Sequence, residues 1–171
     1  DSSNQYDISI LEALSKNLPY ESLEQEFQVS LLLNDSPVWA VDSHRGVVSK
    51  IDLLFAIAPY ITKADLERFF DSAKLVLGED NPALDLPKDQ QWQANIYDKK
   101  RQHSKGLRDS IGEMLILLAV HGNELFKNRL AFNCEEAVNK LVEELFSPLN
   151  LRVLLAQASD FSVYAEAQKY F

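Results

Sequence analysis

Apolar residues recur at helical spacing through most of the chain. In KADLERFFDSAKLVLG, the positions Leu66, Phe69, Phe70, Ala73, Val76 and Leu77 follow the i, i+3, i+4, i+7 rule and predict an amphipathic helix between Thr62 and Gly78. Thr62 with Asp65 reads as a capping box, and Ile61 with Leu66 as the accompanying hydrophobic staple. The preceding segment repeats the device with Ser49 and Asp52 as the box, Val48 and Leu53 as the staple, and Ile51, Leu54, Phe55 and Ala58 as the stripe. Pro59 stops that helix near Ile57 or Ala58, because the residue before proline is pushed out of the helical region. The two helices form an expected hairpin.

Downstream, Asn133 with Glu136 opens a helix whose stripe is Ala137, Val138, Leu141, Val142, Leu145 and Phe146. Pro148 ends it, and Ser147 with Pro148 reads as the cap and first position of a helix through LNLRVLLAQA, a second expected hairpin. QYDISILEALSK, PYESLEQEFQVSLLL and the C-terminal VYAEAQKYF carry weaker helical patterns. The exception lies near residues 37–48, where β-branched residues, Trp39 and a turn-like centre predict a small β-hairpin or an irregular loop. Residues 78–90, with two prolines among acids and amides, predict a long connection or a lobe boundary. The expected fold is all-α, with about seven helices in antiparallel pairs forming an irregular bundle or a short α-solenoid-like stack. No period of 30 to 45 residues brings matching positions into register, and no motif names a family.

Composition adds bounds. The 171 residues suit a single domain, and 46% hydrophobic with 25% charged residues is ordinary globular usage. The lone Cys134 excludes an internal disulfide and points to a reducing compartment, the cytoplasm. No apolar run approaches the roughly 20 residues of a membrane span. The chain opens DSSNQYDISI, with neither an initiator Met nor a signal pattern, so it is read as a processed mature chain or, preferably, a piece excised from a longer multidomain protein, for which a bacterial source is the expectation.

Charge singles out one place. A chain of net charge −9 concentrates Lys99, Lys100, Arg101, Lys105 and Arg108 within ten residues. The three well-marked helices carry acid in their first turn, where the positive end of the helix dipole favours it. With Ser104 as its cap, the helix feeding MLILLAV instead begins with Lys105 and Arg108. Lys99, Lys100, Arg101, Ser104, Lys105 and Arg108 are therefore the candidate anion- or partner-binding residues. Trp92 and Tyr97 lie near enough in sequence to stack on a base, so nucleic acid is the alternative ligand.

Catalytic chemistry finds little support. No Gly-rich phosphate loop is present, and His44, His103 and His121 lack metal-ligand spacing, so no metal site, cofactor or catalytic residue is assigned. Asp42, Ser43 and His44 read as turn residues, although Asp42 and His44 are the best starting points for a hydrolase site assembled by folding. His121 is expected near the end of a buried helix, Gly112 at a helix contact, Cys134 as a buried thiol, and Glu67 with Asp71 on a solvated face. The functional expectation is a protein-interaction or scaffolding module with a protein partner, no membrane, and no catalytic activity of its own. Anionic-ligand or nucleic-acid association through residues 99–108 is second, and a hydrolase third.

Overall fold

The computed structural model describes residues 2–169. Helices α1 (Gln5–Leu14) and α2 (Tyr20–Leu31) precede a two-stranded antiparallel sheet, β1 (Val38–Val41) with β2 (His44–Val47). Then follow α3 (Lys50–Ile57), α4 (Lys63–Leu77), α5 (Lys105–Gly122), a short α6 (Asn128–Leu130), α7 (Cys134–Leu145), α8 (Leu151–Gln157) and α9 (Phe161–Gln168). The fold is all-α with one small hairpin, and Tyr170 and Phe171 of the expected last helix lie outside the described residues.

Local signals act largely as the sequence suggests. Thr62 and Asp65 close a reciprocal capping box at α4, and Asn133 accepts from the Glu136 amide at α7. At α3 only half of the box forms, the Asp52 amide donating to Ser49. The cap of α8 is Asn150, which accepts from the Val153 amide, and not Ser147, so that helix begins three residues later than Pro148 suggests. The helix of MLILLAV also runs on. It continues from Gly122 through a wide turn over Asn123–Lys127 into α6, and stops at Ala131 in the left-handed region. His121 thus lies inside a continuous helical rod, edge-on to the Phe55 ring at 5.3 Å.

Two contiguous core clusters hold the molecule. The larger joins Ile10 of α1, Ala73, Val76 and Leu77 of α4, Ile111 and Leu115 of α5, Val138, Leu141 and Leu145 of α7, and Tyr164 and Ala167 of α9. The smaller joins Leu54, Leu66, Leu118, Phe126 and Cys134. The main packing runs between helices distant in sequence: α5 against α7 and α9, and α4 against α1 and α7. Two glycines of α5 permit close approach of other helices. A Cβ on Gly122 would stand 2.5 Å from Cys134 Cβ, and one on Gly112 would stand 3.0 Å from Val163. The 78–104 connection, with single 3-10 turns at Pro82–Asp85 and Gln91–Gln93, joins two helices that bury into the same cluster.

Residues 18–48 behave differently. None of them belongs to either cluster, and α2 has no buried residue. The hairpin is held locally: Trp39 pairs with Gly46, lays its indole where a Gly46 Cβ would be, and donates from Nε1 to the Val47 carbonyl at 3.1 Å. Asp42 makes the turn at φ 50°.

Candidate functional site

The basic segment lies at a junction of helix ends, and its cations reach carbonyls and carboxylates of other elements. Arg108 is only 4% exposed. Its guanidinium donates to the Val76 carbonyl, to the Leu77 carbonyl at 3.4 Å and to Asp160 Oδ2 at 2.5 Å. Val76 and Leu77 end α4, so Arg108 caps the C-terminus of that helix, where unpaired carbonyls and the negative dipole end favour a cation. Gln157 adds a second donor to Leu77 at 2.8 Å and is itself bonded by the Tyr164 hydroxyl at 2.7 Å. Burial, followed by the Asp160 charge, holds that hydroxyl above its ordinary pKa.

Arg101 does the same for α8, donating to the Ala156 carbonyl in its last turn. Burial is the main cause of its depressed pKa, with the neighbouring Arg108 charge second, and its Nε is buried without a hydrogen-bond partner among the described residues. Arg129, outside the segment, caps α3 by donating to the Ala58 and Ile61 carbonyls at 2.7 and 2.8 Å. α3 and α8 carry no basic residue in their own last turn. The cations are supplied across the fold.

The start of α5 obtains its negative charge in the same way. Ser104 accepts from the Leu107 amide as expected of a cap, and the Ser104 amide donates to Asp7 Oδ1 at 2.9 Å. Asp7 of α1 is 1% exposed, so a buried carboxylate from another helix stands where the first turn of α5 has no acid. The segment is fixed further by Asn4 Nδ2 donating to the Gln102 carbonyl, and by Glu79, which accepts from the Gln102 and His103 amides and lies 3.0 Å from His103 Nδ1.

Of the remaining candidates, Lys99 pairs with Asp85 at 3.2 Å and Lys105 with Asp109 at 2.5 Å. Asp98, the neighbouring acid in sequence, takes a left-handed turn conformation. Among the described residues Lys100 has no hydrogen-bond or ion-pair partner. Lys100, Arg101, Ser104, Lys105 and Arg108 all line one polar cleft of about 570 Å³, whose wall also carries the carboxylates Asp109 and Asp160 and the neutral Asn4, Asn81, Asn95 and Ser159. Lys99 lies outside it, and Trp92 and Tyr97 do not line it.

The hydrolase candidates stay on the hairpin. Asp42 and His44 sit exposed at the hairpin turn, and their backbone carbonyls accept from Arg45 Nη1 at 2.8 and 3.2 Å. Glu67 and Asp71 are exposed on α4. Cys134 is fully buried and its thiol is pushed up to about 12 by desolvation, which removes the thiolate a nucleophile needs. Among the described residues, no group of three or more His, Cys, Asp or Glu is placed to hold a metal ion. No described helix is long and apolar enough to cross a membrane.

A second concavity, not anticipated from the sequence, opens between α1, α2 and the hairpin. This groove of about 450 Å³ is lined chiefly by Leu11, Leu14, Leu23, Phe27, Val38 and Val47. Its polar wall is an ion pair, Glu24 with Arg45 at 3.0 Å, which holds the Glu24 carboxyl below the ordinary range. In the same part of the chain Val29, Leu32, Leu33, Val41 and Val48 are exposed, Leu32 at 84%. The sequence signal was the spacing of Tyr20, Leu23, Phe27 and Leu31, a helical stripe whose partner face is a marginal hairpin. No family model, curated protein or solved structure gives a significant match to the chain.

Proposed function

We propose that the chain is a protein-interaction module that docks a partner on the lobe formed by α2 and the hairpin, without catalytic activity of its own. One observation carries the reading: residues 18–48 place no side chain in either core cluster, yet line an apolar groove and leave Val29, Leu32, Leu33, Val41 and Val48 exposed. An apolar groove on a lobe outside the core is the kind of surface that interaction sites use. The free, buried Cys134 suits the cytoplasmic setting that the reading implies.

Site-specific photocrosslinking in the source cell tests it. A benzophenone side chain at Val29 or Leu32 is expected to give one discrete protein adduct, and the same group at Lys100 or Lys105 none. Adducts formed only from the basic positions would overturn the reading. A second reading, small-anion binding in the polar cleft, is favoured by the unpartnered Lys100 beside Arg101. It requires that pyrophosphate perturb the amides of 100–104 and that Lys100→Ala abolish the effect.

A further inference from the structure

We infer that the partner segment seated in the groove is a cationic amphipathic helix; the inference rests on the docking reading above. The groove is walled by helices on two sides, with Leu11 and Leu14 of α1 facing Leu23 and Phe27 of α2. Ridges spaced three and four residues apart accept the i, i+3, i+4, i+7 stripe of another helix, the helix-in-groove mode of recognition.

Charge selects the sign of the partner's polar face. Residues 1–48 carry eight acids against two bases. α2 carries Glu21, Glu24 and Glu26 and no cation. At about 100° per residue, Glu21 and Glu26 project on opposite sides of the Tyr20, Leu23, Phe27 stripe. Both are exposed, and neither has an ion-pair partner among the described residues. Glu24 is the acid already neutralised, by Arg45, whose guanidinium also lies over the Phe27 ring at 5.8 Å. An apolar stripe flanked by Lys or Arg therefore meets apolar wall in the groove and, along the α2 side, carboxylates that no internal cation among the described residues neutralises. A partner helix flanked by acid meets like charge along α2.

The test is a titration of the isotopically labelled chain with three 15-residue peptides of identical leucine pattern, whose polar positions are all Lys, all Gln or all Glu. The Lys peptide is expected to shift the amides of Leu11, Leu23, Phe27, Val38 and Val47, at least tenfold more tightly than the Gln peptide, with the Glu peptide inert. Glu21→Lys with Glu26→Lys is expected to weaken the Lys peptide at least tenfold. Glu136→Lys with Glu143→Lys, on the exposed face of α7, is expected to leave it unchanged. Equal binding of the Gln and Lys peptides in the groove would overturn the cationic assignment and leave the docking reading standing. Failure of all three peptides to perturb the groove would overturn both. Equal losses with the α7 variant would expose unspecific charge attraction and overturn the inference. So would concentration-dependent shifts of the same amides without peptide, since a second copy of the chain would then be the occupant.

Discussion

Replacing Arg108 with Met separates two accounts of the basic segment by the sign of the effect. A cation in the first turn of α5 opposes the helix dipole, and by that local rule its removal would stabilise the protein by about 0.3–1 kcal/mol. The structure assigns the guanidinium to the other end of α4. Arg108 and Asp160 side chains are 4% and 13% exposed and 2.5 Å apart. Removing one partner of such a pair leaves an uncompensated buried charge, at a cost of about 3–5 kcal/mol, and the Val76 carbonyl loses a donor as well. Arg108→Met is therefore expected to lower the unfolding free energy by about 3–5 kcal/mol in urea titrations followed by circular dichroism, with little change in slope. Adding Asp160→Asn removes the stranded charge and is expected to restore about 2 kcal/mol, a coupling typical of direct contacts. A loss below about 1 kcal/mol in the single variant, or a gain, would refute the assignment of Arg108 to α4.

Asp80 and Asp85 are held below their ordinary pKa of 3.8, chiefly by hydrogen bonds from Arg152. The unfolded chain then binds more protons as pH falls through and below 3.8, so the stability from these pairs is present above that value and lost beneath it. Arg152→Gln is expected to flatten the acid limb of the urea midpoint against pH, and an unchanged limb would contradict the pairing. Cys134 is expected to resist native-state labelling by a thiol reagent until the chain unfolds, since its thiol is both buried and raised to about 12. Gly122→Ala is expected to cost about 1–3 kcal/mol by urea titration, because the new methyl would meet Cys134 at 2.5 Å. For duplex DNA, if only the unpartnered Lys100 is free to contact phosphate, log affinity is expected to fall against log salt with a slope of about −1. A slope near −4 to −5 would mean that all five cations leave their internal partners.

Legibility in the sequence follows the range of the interactions involved. Capping at Thr62, Asn133 and Ser104 is decided within three residues, and those helix starts were readable. Asn150 displaced Ser147 as a cap for a reason of the same short range, an amide available from Val153, but Pro148 drew the boundary too early. The role of the basic segment is tertiary. The three helix ends it touches on α1, α4 and α8 lie 30 or more positions away in the chain. A signal for it was nonetheless present. Arg108 stands on the same helical stripe as Ile111, Gly112, Leu115 and Ala119, and Asp7 on that of Ile10 and Leu14. A charge on an apolar stripe requires a buried partner, which Arg108 finds in Asp160 and Asp7 in the Ser104 amide. The groove was less legible, because a concavity depends on how α2 and the hairpin rest on α1, and their own patterns leave that angle open.

Native-state hydrogen exchange probes most directly whether the working face is a loosely held lobe on a core tied together by the basic segment. Amides of α2 and the hairpin are expected to exchange through local opening, at free energies well below those of α4, α5 and α7. The Ser104 amide, donated to buried Asp7, is expected to exchange with the core. Exchange of α2 only through global unfolding, at the same free energy as α5, would contradict this division of the molecule.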